Sequence, residues 1–197
     1  MLVAVVAGVP GYLMLRGHES TPAPAATATS SAPGPGAATP EPTGPIGPST
    51  PAGSHLDALP VEAGTGNLAE LPRALREQPG YDRPVTMTCP SNVTGDLYRE
   101  VTYLVKQRYV EMSATVRAYF PASDDRDSRV RVTVYVALPQ RDGTFVVNRR
   151  GQPFDALMSD PKPMTSDVSG AEKVTIRVQC EAPHGWVVLS DGLLTGD

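Results

Sequence analysis

The sequence predicts a mainly β domain, a small antiparallel β-sandwich or rolled sheet carrying one disulfide, preceded by an N-terminal membrane segment and a disordered linker. Three observations carry that expectation. Val130, Val132, Val134, Val136 and Leu138 alternate with Arg131, Thr133 and Tyr135, which is the period of a half-buried strand. The same alternation recurs in Val110, Met112, Ala114, Val116, Ala118 and Phe120, and again in Val174, Ile176, Val178 and Cys180. From Thr21 to Gly53 every residue except Glu41 and Ile46 is Pro, Ala, Thr, Ser or Gly, so that tract has no side chains with which to build a core.

The expected organisation is a transmembrane anchor or signal segment over 1–15, a Pro/Ala/Thr-rich linker over 16–66, a short helix and connector over 67–80, and a β-rich domain over 81–197. The run from Met1 to Leu15 is uncharged until Arg16. It is short beside the roughly 17–25 residues of a spanning helix and near the length of a signal-peptide apolar region. Membrane attachment as a single-pass anchor is the expectation, and secretion after cleavage is the alternative. Both readings expect Lys or Arg ahead of the apolar run, and their absence here predicts a native start upstream of Met1. The prolines of the linker favour polyproline II at about 3.1 Å per residue, enough to hold a domain up to about 100 Å from a membrane.

Asn67 followed by Glu70 resembles a capping box, with Leu68, Leu71 and Leu75 lining one side of a short helix that Pro79-Gly80 would end. Val85 to Cys89 reads as a short strand. The segment from Leu97 to Phe120 lacks Gly, Pro and Asn, and as a single strand it would be about 80 Å long, so it must break. A strand with a bulge near Lys106-Gln107-Arg108 is expected; the alternative is an α+β domain with a helix at 96–107. After the strand at 130–138, Asp142-Gly143 predicts a type I′ hairpin, returning through Phe145-Val146-Val147 and ending at Arg149-Arg150-Gly151. Gln152 to Gly170 reads as a long irregular loop with one helical turn at Phe154 to Met158. Pro183-His184-Gly185 turns the chain into a last strand from Trp186 to Leu189.

Cys89 and Cys180 are the only cysteines, and neither has a CxxC neighbour. In a domain outside the membrane they should be joined, tying an early strand to a late one. That arrangement loosely resembles an immunoglobulin-type sandwich, although Trp186 follows Cys180 instead of falling between the cysteines; the likeness is architectural.

Composition argues against several function classes. The net charge is −4 with the cations dispersed, so no basic field awaits nucleic acid. Arg far outnumbers Lys in a chain rich in Ala, Pro, Gly and Val, the pattern of GC-rich bacterial coding. His184 lacks a G-x-S-x-G partner, which argues against a hydrolytic triad. Asp124, Asp125 and Asp127 form the best candidate for a hard cation, but Arg126 and Arg129 offset their charge and the calcium-loop spacing is absent, so no metal or other cofactor is expected. Glu100, Glu111, Glu172 and Glu181 leave open an envelope hydrolase with dispersed carboxylates, or a structural subunit of an envelope assembly with no chemistry of its own.

The leading expectation is a binding or interaction domain, sensory or regulatory in its finer reading, with an envelope protein or glycan as partner. Its candidate surface combines outward Arg131, Tyr135, Arg149 and Arg150 with Phe154 and Met158 of the 152–170 loop.

Overall fold

The computed structural model describes residues 53–196, so the apolar run at 1–15 and most of the Pro-rich tract lie outside the described residues. The elements are β1 (Ser54–His55), β2 (Val61–Ala63), β3 (Leu68–Ala69), β4 (Val85–Thr88), β5 (Arg99–Leu104) and β6 (Glu111–Tyr119), then β7 (Val130–Pro139), β8 (Phe145–Ala156), β9 (Lys162–Asp167), β10 (Lys173–Cys180) and β11 (Trp186–Thr195). They form two antiparallel sheets. One runs β3-β4-β11-β6-β9 with β1 continuing the β4 lane beside β11; the other runs β2-β5-β10-β7-β8. Among the described residues no helix is long and apolar enough to cross a membrane.

The two inner faces meet in one core. Val130, Val132, Val134 and Val136 are fully buried there with Val101, Val174, Ile176 and Val178, against Met87, Met112, Val116, Met164, Val187 and Leu189 of the other sheet. From β4 onward the chain passes from sheet to sheet with each strand except at the β7–β8 hairpin, so each sheet is built from segments far apart in sequence. The disulfide joins the layers: Cys89 follows β4, Cys180 ends β10, and their Cα atoms are 5.7 Å apart. Of the two expected arrangements, sandwich or rolled sheet, the observed one is a mainly β sandwich of two antiparallel sheets, with the expected disulfide.

Several local expectations give way. The linker does not extend over 54–66. Ser54 pairs with Leu194, Val61 pairs with Tyr103, and Leu56 is completely buried, so apolar residues just past the low-complexity tract fold with the domain. The helix over 67–80 is absent. Leu68-Ala69 pairs with β4, a single 3-10 turn covers Arg73–Leu75, and the Asn67 side chain donates to the Glu100 carbonyl oxygen at 2.8 Å instead of capping. Prolines at 72 and 79 leave too few residues to sustain an α-helix. At 99–104 the strand reading prevails over the helix. The expected bulge is a corner, where Lys106 and Gln107 take φ of 54° and 58° and the chain crosses to the other sheet.

The hairpin turns on three residues, with Gly143 N–H donating to the Gln140 carbonyl and Gln140 N–H to that of Thr144. Only Gly143 of the Asp-Gly pair has positive φ, so this is a type I turn closed by a left-handed glycine, not type I′. The return strand does not end at Gly151. That glycine, at φ 65°, sits at a register shift opposite Val132–Val134, and β8 runs on to Ala156. The expected 152–170 loop is therefore mostly β8 and β9, and there is no helical turn at 154–158. Its prolines misdirect the sequence reading because Pro153 and Pro163 lie in strands at the edges of their sheets, where a missing N–H is tolerated.

Candidate functional site

The core-facing alternation of β7 and β10 forces every second residue outward, and the register then gathers those residues on one open face of the five-stranded sheet. Arg177, on the central strand β10, stands opposite Glu100 of β5 and Thr133 of β7, while Tyr135 stands opposite Arg149 of β8. Arg177 Nε donates to Glu100 Oε1 at 2.6 Å. Its guanidinium carbon lies 4.2 Å from the Tyr98 ring centroid and 4.7 Å from that of Tyr135. One planar cation is thus held by two aromatic rings and a carboxylate. Burial works against its charge, but the Glu100 hydrogen bond and charge outweigh it and keep the group above the ordinary arginine value.

Around this centre the face is mixed. Arg131 Nε and Nη2 make a fork to Asp155 at 2.8 and 3.0 Å, and that hydrogen bonding holds the Asp155 carboxyl below the usual carboxylate range. Lys173 Nζ pairs with Glu62 at 2.6 Å and lies 5.0 Å from the Phe145 ring centroid. Phe145 and Tyr98 remain nearly half exposed, and Val147, outward on β8, is 63% exposed.

The structure brings together Arg131, Tyr135 and Arg149 as expected from the alternation, but not Arg150, Phe154 and Met158. Arg150 pairs in register with Val134, so it points to the other face, 3.5 Å from Asp167. Adjacent residues of a regular strand cannot share a face, and a patch including both 149 and 150 ignores that. Phe154 stands opposite Val132 on the inward side, and Met158 Sδ accepts from the Phe120 N–H at 3.1 Å; both pack on the core. Sequence reasoning missed Tyr98, Phe145, Lys173 and Arg177. For Arg177 the signal was present, since it alternates with Ile176 and Val178.

Asp124 and Asp125 belong to a 3-10 turn, and among the described residues no group of three His, Cys, Asp or Glu side chains converges as a metal site would require. Three of the four glutamates considered for hydrolysis are engaged elsewhere: Glu100 with Arg177, Glu172 with Gln107, and Glu181 with Arg129. His184 is indeed in a turn, at φ 62°, but it also helps line an end cleft of about 360 Å³. Trp186, Arg99, Ser91, Thr88, Gly185 and Cys89 form the rest of that cleft, with Tyr119 packed 5.9 Å from Trp186. Ser91 hydrogen bonds hold the Asp96 carboxyl below its usual range, and Asp96 in turn pairs with Arg99.

No protein-family model matches the chain, and no curated protein matches it. Similarity is found among solved structures. The CBM51-2 and INT domains of Clostridium perfringens ZmpB align at 13% identity over 74% of this chain and 32% of theirs, with a TM-score of 0.43. The CBM22-1 xylan-binding domain of Paenibacillus barcinonensis Xyn10C aligns at 9% identity over 74% of this chain and 86% of its own, with a TM-score of 0.42. TmCBM61 in complex with beta-1,4-galactotriose aligns at 8% identity over 58% of this chain and 70% of its own, with a TM-score of 0.30. This chain thus spans about a third of the first of these structures.

Proposed function

We propose that the protein is an extracytoplasmic recognition module, tethered by its apolar N-terminus and raised on the Pro/Ala/Thr stalk, which binds a protein partner on the outward face of the five-stranded sheet. The observation that carries this reading is the Arg177 guanidinium held between Tyr98 and Tyr135 on the outward side of the sheet, where Tyr98 is nearly half exposed. Arg and Tyr dominate binding hot spots, and a guanidinium already fixed by Glu100 loses little rotamer entropy when a partner covers it. The disulfide supports an oxidising compartment. The sensory or regulatory role belongs to the same reading, since a stalked surface transmits what it binds only through its tether.

A second reading has its own support. The end cleft offers the Trp186 indole beside Arg99, Ser91 and His184, an apolar platform with hydrogen-bonding side chains of the kind that suits one or two sugar rings of an envelope glycan.

The test uses the full chain, oxidised and in detergent micelles, as bait against envelope proteins and against a glycan array. The protein reading expects a saturable partner whose affinity falls at least tenfold in Arg177→Ala and Tyr135→Ala, with circular dichroism unchanged. A glycan hit lost in Trp186→Ala but kept in Arg177→Ala moves the function to the cleft. A protein partner indifferent to both sheet variants would overturn the assignment of the face.

A further inference from the structure

β8 is an edge of the five-stranded sheet, and among the described residues its ladder partner from Phe145 to Arg150 is β7 alone. The Gln140 N–H reaches the Thr144 carbonyl, and Pro139, opposite Phe145, has no N–H to give. Antiparallel alternation therefore turns the backbone N–H and C=O of Val146, Asn148 and Arg150 toward β7, and those of Phe145, Val147 and Arg149 away from the sheet. Edges are ordinarily blunted by a bulge, a proline, brevity or charged side chains, and the charges of this segment, Arg149 and Arg150, stand only at its far end, after the uncharged run Phe145 to Asn148. Here the bulge at Gly151 and Pro153 come only after this segment, and β2 on the opposite edge is three residues long. What remains is an open strand that begins Phe-Val-Val, with Phe145 and Val146 nearly half exposed and Val147 more so.

We propose that this edge pairs with the same edge of a second copy of the chain, antiparallel and centred on Val147. The edge is complementary to itself, and its sequence sets the register. Centred on Val147, the two copies form three bonded pairs: Val147 with Val147, and Phe145 with Arg149 twice, about six backbone hydrogen bonds in all. Every unpaired backbone group of the segment is then used, the exposed valines bury one another, and each Arg149 faces an aromatic ring. The two Arg149 side chains stand about 14 Å apart along the strands, beyond the roughly 8 Å over which surface charges interact in physiological salt. Centring on Asn148 or Arg149 would bring the arginines closer or directly opposite each other, and centring on Phe145 would run into the Gly143 turn. The dimer is a continuous ten-stranded sheet that carries the Arg177 face twice on one side. It is a weak association, because six residues per copy bury less than a standard interface. The inference does not depend on what binds that face.

Single cysteines test it in the full-length oxidised protein, where Cys89 and Cys180 are already joined. A bonded antiparallel pair places Cα atoms about 5.5 Å apart, within reach of a disulfide. Under mild oxidation Val147→Cys should cross-link with itself, and Phe145→Cys should cross-link with Arg149→Cys in a mixture but not with itself. Analytical ultracentrifugation should show a concentration-dependent dimer at micromolar protein that is lost in Val147→Pro. That proline removes only an N–H pointing away from β7, so circular dichroism should be unchanged. A monomer at every concentration, efficient Phe145→Cys self-cross-linking, or a dimer that survives Val147→Pro would overturn the proposal.

Discussion

Removing the Cys89–Cys180 bridge tests the link between the two sheets directly. The cross-link closes a loop of 91 residues' separation, and the chain-entropy relation gives a stabilisation of about 4.5 kcal/mol at 25 °C. Single domains have only about 5–15 kcal/mol in total, so the loss would consume a large part of the margin. Both half-cystines are more than nine-tenths buried, so reductant reaches them slowly in the folded protein, and the cleaner perturbation is the double variant Cys89→Ala/Cys180→Ala. With a urea m-value of about 2 kcal/mol/M the unfolding midpoint should drop by about 2 M, monitored through the fluorescence of Trp186, the only tryptophan. The m-value should rise, because the unlinked chain unfolds to a more open state. A midpoint within about 0.5 M of the parent at equal m would show that the bridge contributes no chain-entropy stabilisation to the fold.

Three further outcomes follow from particular contacts. Leu56→Ala should destabilise the domain by about 2–5 kcal/mol in the same urea assay, since Leu56 is wholly buried; a loss under about 0.5 kcal/mol would return residues 54–66 to the linker. Gly185→Ala would set a Cβ 2.2 Å from the Phe120 ring, itself buried, and should cost about 1–3 kcal/mol while reshaping the Trp186 cleft, seen as a shift in tryptophan emission. Asp155 has its carboxyl pKa depressed by Arg131. Its contribution is therefore present above the unfolded-state value near 3.9 and is lost as pH falls through the lower folded value. The pair is partly exposed and contributes less than about 1 kcal/mol, so Asp155→Asn should lower Tm slightly at pH 6, with the difference shrinking as pH falls below about 4, and a pH-independent difference would contradict the assignment.

The parts of the fold that were legible in the sequence are those where one face is fully dry. β6, β7 and β10 alternate strictly because their inward residues meet the opposite sheet along the whole strand, and the period survives in the sequence. The disulfide was legible from cysteine number and the expected compartment. β1, β2 and β3 were not, since strands of two or three residues are too short to show a period. β8 was cut short because its first half is an exposed edge and its second half is offset by the bulge at Gly151, so no single alternation runs through it. β9 was hidden by Pro163, which an edge position tolerates.

The site divides along the same physical line. Arg131, Tyr135 and Arg149 were found because β7 and its hairpin partner are neighbours in sequence, so local alternation says which residues share a face. Tyr98 and Arg177 come from segments that meet only because the chain changes sheet with nearly every strand, which leaves β10 between β5 and β7. Burying Ile176 and Val178 obliges Arg177 to point outward, and the pairing of Arg177 with Glu100 and Thr133 then sets it between aromatic rings contributed from both sides. The guanidinium's place is thus a consequence of core packing rather than an independent feature of the surface. A substitution on the inward face that shifted the β10 register by one residue would exchange the two faces and remove the cluster along with the core.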